Sequence, residues 1–410
     1  MEVTDKGNRM KEEGRTQLGI YVHIPFCVRK CNYCDFLSGP AEAKVRKRYV
    51  EQLIREIGCF PHPERYRVVS VFFGGGTPSL LEGEDIGRIL EVLGQLFSEV
   101  RAARYAGREG GGQRKAPGRF GPEITIECNP GTLTREKLEQ YRKWGINRLS
   151  IGLQSTDNQE LRLLGRIHTW EEFLENYQAA RAAGFSNINI DLMSGLPGQS
   201  AASWRETLQK VLALNPEHIS AYSLIVEEGT VFDRWYGQSE QRFPPLPSEE
   251  EERQMYYDTE KILGTAGLER YEISNYALPG CESIHNSGYW LRRAYAGFGL
   301  GASSQIGHMR YKNTDSMEEY LQGDFSKKEV EELTRKDEIE ETMFLGLRMM
   351  RGVDREEFFR KFQIPLEDVY QKQILRLEEQ GLLEEKGTRL RLTSRGIDVS
   401  NRVLAEFLLD

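Results

Sequence analysis

Six short runs of β-branched and apolar residues, alternating with stretches of helical periodicity, constrain this chain most. The runs are LGIYVHI (18–24), VVSVFF (68–73), EITIE (123–127), INRLSIG (146–152), INIDLM (188–193) and HISAYSL (218–224). Between them, segments such as REKLEQYRKWG and WEEFLENYQAARAAG place apolar residues at i, i+3 and i+4, the period of one helix face. Gly145, Gly184 and Gly267 suit helix C-terminal turns. Strand alternating with helix implies βαβ units and a parallel sheet, because parallel strands need a crossover between them. The period is compatible with an open, partial (β/α)6 barrel or with a doubly wound sheet. Both place their chemistry at the carboxyl ends of the strands.

The residues just past each run are chemically loaded. Three cysteines come after the first run, and GGGTP after the second. Glu127 and Asn129 stand at the end of the third, Gln154 past the fourth, and Asp191 closes the fifth. Polar groups converging from five strand ends describe one site. The bland alternative is that loops are polar anyway.

The cysteines are Cys27, Cys31 and Cys34, in the pattern C-x3-C-x2-C. The other three, Cys59, Cys128 and Cys281, are scattered and are expected to be small buried hydrophobes. A disulfide framework belongs to small chains in oxidising compartments and does not fit a 410-residue chain of this kind. Thiolates suit zinc or iron–sulfur clusters. Structural zinc wants four protein ligands, typically as two separated pairs. Here no second pair lies nearby, and His23 falls inside the preceding strand. Three thiolates on one loop can instead hold three irons of a [4Fe–4S] cube, leaving the fourth iron an open position.

The remaining organisation is plainer. Residues 1–17 are polar and without an apolar run, and are expected to be a flexible tail and not a secretory leader. The barrel is expected over 18–241, with the Gly- and Arg-rich stretch 101–122 a mobile surface insertion. Residues 242–326 form a linker and a further region packing on the barrel, beginning with a helix whose first turn is acidic. Residues 327–410 read as helix, helix, a hairpin turning at Lys386-Gly387, and a helix, a winged-helix-like α+β domain. With a formal net charge of −8 and no basic recognition face, nucleic acid is not an expected partner. No apolar run long enough to span a bilayer occurs, so the expected location is the cytoplasm; peripheral membrane contact stays open.

The cysteine spacing, with Tyr33 just before the third cysteine, resembles the radical S-adenosylmethionine (SAM) superfamily. In that superfamily the methionyl amino and carboxylate groups chelate the open iron, and an electron from the cluster cleaves the sulfonium. The resemblance extends further. YVHIPFC…CDF, FFGGGTPS, ECNPGT, LSIGLQS, LLGRIHT and IDLMSGLPGQS are similar to the oxygen-independent coproporphyrinogen III oxidase family, over roughly residues 18–230. The resemblance selects the partial (β/α)6 barrel. It implies that Cys27, Cys31 and Cys34 hold the cluster. Tyr21, Tyr33, Gly75, Gly76, Thr77, Glu127, Gln154, Arg166 and Asp191 would line the SAM region, some of them as part of a second SAM site.

That family has two branches. The oxidases resemble C-x3-C-x2-C-x-C, but Phe36 stands here at the fourth position. They also carry a longer N-terminal segment before the first strand. The other branch, the HemW-type heme chaperones, resembles H-N-x-x-Y-W. This chain has HNSGYW, that is His285, Asn286, Tyr289 and Trp290. Histidine is a frequent axial ligand of heme iron, and Tyr and Trp offer flat apolar area to a porphyrin face. The motif shows no regular periodicity, so a loop is expected, and Cys281 nearby raises thiolate ligation as an alternative. The implied function is heme binding and transfer to acceptor proteins, respiratory ones foremost, with an electron donor serving the cluster. The competing reading is the oxidative decarboxylation of coproporphyrinogen III.

Overall fold

The computed structural model describes residues 14–106, 121–237 and 243–409. Each apolar run becomes a strand: β1 Thr16–Ile24, β2 Tyr66–Gly75, β3 Glu123–Cys128, β4 Arg148–Gln154, β5 Ile188–Ser194 and β6 His218–Ser223. They pair in chain order, all parallel. Alternation gives each strand two faces. In β1, Leu18, Ile20, Val22 and Ile24 are fully buried in the main hydrophobic cluster with Tyr49, Val50, Leu53 and Ile57 of the helix Ala43–Gly58. The opposite face carries Gly19, Tyr21 and His23 into the barrel. The crossover helices start on side-chain caps, among them the capping boxes at Thr169 and Ser200. Gly145, Gly184 and Gly267 take positive φ just past helix ends, as expected.

The barrel is open because β1 and β6 do not pair with each other. A run of small and aromatic residues, β9 (Ala294–Phe298), lies parallel to β1 and adds a seventh parallel strand. At the far side, β8 (Asn275–Ala277) runs antiparallel to β6 and carries β7 (Glu269–Arg270) outside it. β10 (Ser303–Ile306), β11 (Met309–Asn313) and β12 (Lys327–Glu332) continue the other edge, so twelve strands form one sheet. The C-terminal boundary expected at 327 therefore precedes a strand of the large sheet. β12 is exposed throughout and charged at five of its six positions, which protects the edge from pairing with another chain.

The helix with the acidic first turn is Glu249–Thr265, capped by Ser248. It packs on the helix Ala201–Leu212, where the buried Trp204 indole N–H donates to Thr259 Oγ1 at 2.8 Å. From Arg335 onward the chain builds a second unit. The helices Arg335–Gly346, Arg355–Phe362 and Leu366–Glu379, two shorter terminal helices and a small sheet, β13 (Val353–Asp354), β14 (Leu383–Lys386) and β15 (Arg389–Leu392), enclose their own apolar cluster from Ile339 to Phe407. Of the expected insertion 101–122, residues 101–106 instead end the helix Ser98–Ala106, and 107–120 lie outside the described residues. Of the expected tail, 1–13 lie outside them too, while Thr16 and Gln17 already belong to β1.

Candidate functional site

The three cysteines sit on the loop after β1, where it crosses the carboxyl ends of the strands. The loop is pinned on both sides. Asn32 donates from its backbone to the Leu164 carbonyl at 2.9 Å and from its side chain to the Leu163 carbonyl at 2.8 Å. Cys27 N–H donates to the Gly39 carbonyl at 3.0 Å. All three thiols line one cavity of about 330 Å³. Among the described residues no group of three His, Cys, Asp or Glu side chains closes around a single ion. Three thiols on one loop that face one cavity suit the corners of an iron–sulfur cluster. Two of the sulfurs already have donors: Thr77 Oγ1 at 3.5 Å from Cys27, and Arg166 Nη1 at 3.8 Å from Cys31.

The ends of β2 to β6 contribute to the same cavity. Tyr33, Gly75, Gly76, Thr77, Glu127, Gln154, Arg166 and Asp191 all line it. The glycines there serve the protein's own packing. A Cβ on Gly75, whose φ is +110°, would lie 2.5 Å from the His23 ring, and one on Gly76 would lie 2.7 Å from the Phe26 carbonyl. Bare backbone lets β1 and β2 end side by side, and leaves the Gly75 N–H to donate to Glu127 Oε2 at 3.1 Å.

Glu127 is fully enclosed. Burial, then repulsion from Asp191, raises its carboxyl to about 8, with the Gly75 hydrogen bond and Arg148 opposing. Burial also raises Asp191, although Asn189 Nδ2 (2.7 Å) and Ser150 Oγ (3.1 Å) donate to it. Arg148 supplies the countercharge to both carboxyls. Arg166 donates through Nη2 to Asn129 Oδ1 at 2.8 Å and to the Gly152 carbonyl; its buried Nε has no partner among the described residues. Gln154 closes β4 at φ +72°, where the register of β4 against β5 slips. That conformation is costly for a residue other than glycine. Its Oε1 accepts from Tyr222 OH at 3.1 Å. Such an arrangement can hold a cationic, polar ligand against the thiols, with carboxylates for positive groups and Arg166 for a carboxylate.

Sequence reasoning undervalued Asn129, and missed Tyr222, Ser150 and Met193, which also line the cavity. Ser150 and Tyr222 lie within β4 and β6, where the sequence carries no signal beyond strand alternation. Tyr21 does not line the cavity. It stands below it, its hydroxyl 3.1 Å from His23 Nδ1 and its ring stacked on Phe72.

The HNSGYW motif is a seven-residue helix, Ile284–Trp290, and not the expected loop. Ser283 caps it. Glu123, on the inner face of β3, accepts the backbone N–H groups of Ile284 (3.1 Å) and His285 (3.2 Å). The helix therefore closes the barrel from below. His285 is 3% exposed. Its Nδ1 lies 3.0 Å from Ser70 Oγ and its Nε2 3.0 Å from Tyr289 OH. Burial, with Arg293 and Arg148 nearby, lowers it to about 3, so the ring is neutral. Both ring nitrogens are thus engaged within the protein. Asn286 is half-buried. The Tyr289 ring packs edge-on against Tyr295 at 4.8 Å, and the Arg348 guanidinium covers Trp290 at 4.4 Å. None of the four lines the cavity. Of the scattered cysteines Cys128 is buried as expected, but Cys59 is exposed and Cys281 half-buried.

A three-cysteine loop over an open parallel barrel defines a radical SAM protein. The model of the radical SAM superfamily matches residues 21–211, and that of the HemN C-terminal domain matches residues 333–399. The chain is 37% identical over 393 residues to the heme chaperone HemW of Lactococcus lactis, covering 95% of this chain and 97% of that one. It is 33% identical to the heme chaperone HemW of Bacillus subtilis, covering 95% and 98%. The chain belongs to the HemW family. Among solved structures, coproporphyrinogen III oxidase (HemN) from Escherichia coli, a radical SAM enzyme, shares the fold, with a TM-score of 0.78, 24% identity and coverage of 96% of this chain and 91% of that one. As a radical SAM protein the chain uses a [4Fe–4S] cluster and SAM. No helix among the described residues is long and apolar enough to cross a membrane.

Proposed function

We propose that this protein is a heme carrier that receives heme and passes it to acceptor proteins, respiratory ones foremost. The end-to-end similarity to heme chaperones carries this reading. In it, Cys27, Cys31 and Cys34 hold the cluster, whose open iron takes the methionyl end of SAM when both are bound. The Gly75–Thr77 backbone and Glu127 receive the amino end. Gln154, Arg166 and Asp191 hold the remaining polar groups, and Tyr33 and Tyr222 wall the cavity. An electron donor reduces the cluster. Net chemistry on the porphyrin is not required, and Phe36 occupies the fourth-cysteine position of the oxidase-like pattern. HNSGYW acts here as the floor of the barrel.

Heme titration of the anaerobically reconstituted protein tests the reading. A Soret shift saturating near one heme per chain is expected. The absence of any shift removes the heme assignment and leaves coproporphyrinogen oxidation as the reading to pursue.

A further inference from the structure

Resting on that heme-binding reading, we propose that the porphyrin docks across the mouth of the cysteine cavity, against the exposed apolar side chains of Phe36 and Ile225, with Val28 and Ile167 on the adjoining cleft extending the apolar surface. Single exposed apolar side chains are ordinary, but a cluster around one opening marks a binding surface. Phe36 is 59% exposed and Ile225 68%, and both line the cavity. Val28 and Ile167 are over half exposed and line a side cleft that shares Cys31, Thr77, Asn129 and Arg166 with it. These side chains sit on three different segments: the cysteine loop, the turn after Arg166, and the loop after β6. No common secondary structure forces them together.

The rim suits a flat apolar disc with acidic edges. Arg29 and Lys30 stand exposed on the same loop and line the same cavity. Lys30 Nζ donates to the Phe36 carbonyl and Arg29 Nη2 to the Gly165 carbonyl, and each keeps further N–H groups for propionates. The alternative site is closed. His285 lies against Gly19 inside the barrel, and freeing it means breaking the Ser70 and Tyr289 hydrogen bonds and the helix cap on Glu123. The histidines nearest the mouth, His23 and His168, are buried, each with Nε2 on a backbone carbonyl. Heme at the rim would thus be held by face and edge contacts without a histidine bond to iron, which suits a carrier that must let go.

The test is hemin titration of the reconstituted full chain and three variants: Phe36→Asp/Ile225→Asp, His285→Gln and Tyr289→Phe. The rim variant, compared with the parent at equal iron and sulfide content, should bind heme at least about tenfold more weakly. Both floor variants should bind heme within about twofold of the parent with an unchanged Soret band, Tyr289→Phe serving where His285→Gln fails to fold. Unchanged heme affinity in the rim variant overturns the proposal. Slower cluster reduction by a protein donor in that same variant would then assign the rim to protein docking. Loss of heme in Tyr289→Phe with the cluster intact also overturns it. A parent that binds no heme removes the underlying reading as well, and so is distinct from either result.

Discussion

Glu127 is the residue whose chemistry depends most on its surroundings. Its raised value, about 8 against an ordinary 4.5, means that the free folded chain keeps the proton at pH 7. A cationic ligand favours the charged form, so SAM binding should release a proton below pH 8. Affinity should fall toward acid by up to about tenfold per pH unit, and Glu127→Gln should abolish that slope. Calorimetry in buffers of different ionisation enthalpy measures the proton count; zero release at pH 7 would contradict the assignment. For folding the sign is separate. The group's contribution to stability is full below about pH 4.5 and is lost as pH rises through about 8, because the folded value lies above the unfolded one. His285 is a second residue with a definite expectation. His285→Ala leaves Ser70 and Tyr289 unpaired in a closed space and should cost about 2–4 kcal/mol, read as a lowered denaturant midpoint. The cysteines and most of the cavity were legible in the sequence because each lies just past an apolar run. The setting of His285 was not legible. Its partners Ser70 and Glu123 come from strands more than 160 residues earlier, and no local pattern announces them.

At the scale of elements, the informative unit is the helix Ile284–Trp290. It is too short to be stable alone. Its order comes from Glu123, whose two carboxylate oxygens accept from Ser283 Oγ and the first helical N–H groups. Glu123→Ala should therefore raise amide exchange across residues 284–290 by at least about tenfold, with the strands unaffected. Equal exchange in parent and variant would show that side-chain packing alone holds the helix. The six parallel strands were readable from alternation and length. β7 to β12 were not, being short, polar or rich in small residues, and held in place by neighbours in the sheet. The glycine triplet was readable as a strand end, but its role differs: the glycines let strands and His23 approach, and only then free a donor for Glu127.

At the scale of the whole molecule, the C-terminal unit has its own core and is joined to the barrel beside that same helix. Glu341 accepts from Arg292 Nε at 2.8 Å and also pairs with Arg310, while Met350 N–H reaches the Tyr271 carbonyl at 3.0 Å. The Arg292 side chain is 3% exposed, so losing Glu341 leaves a buried charge held only by the longer contact with Glu338 at 3.5 Å. Glu341→Ala should destabilise the C-terminal unit by about 1–3 kcal/mol and split thermal unfolding into two transitions; one cooperative transition would refute that coupling. At this scale the proposal is that this chain moves heme without converting a porphyrinogen. One sample decides it. The reconstituted, reduced protein with SAM is loaded with heme, mixed with an apo-acceptor, and assayed in parallel with coproporphyrinogen III. Heme should appear in the acceptor, with no turnover to protoporphyrinogen. Repeated turnover without heme transfer would contradict the claim.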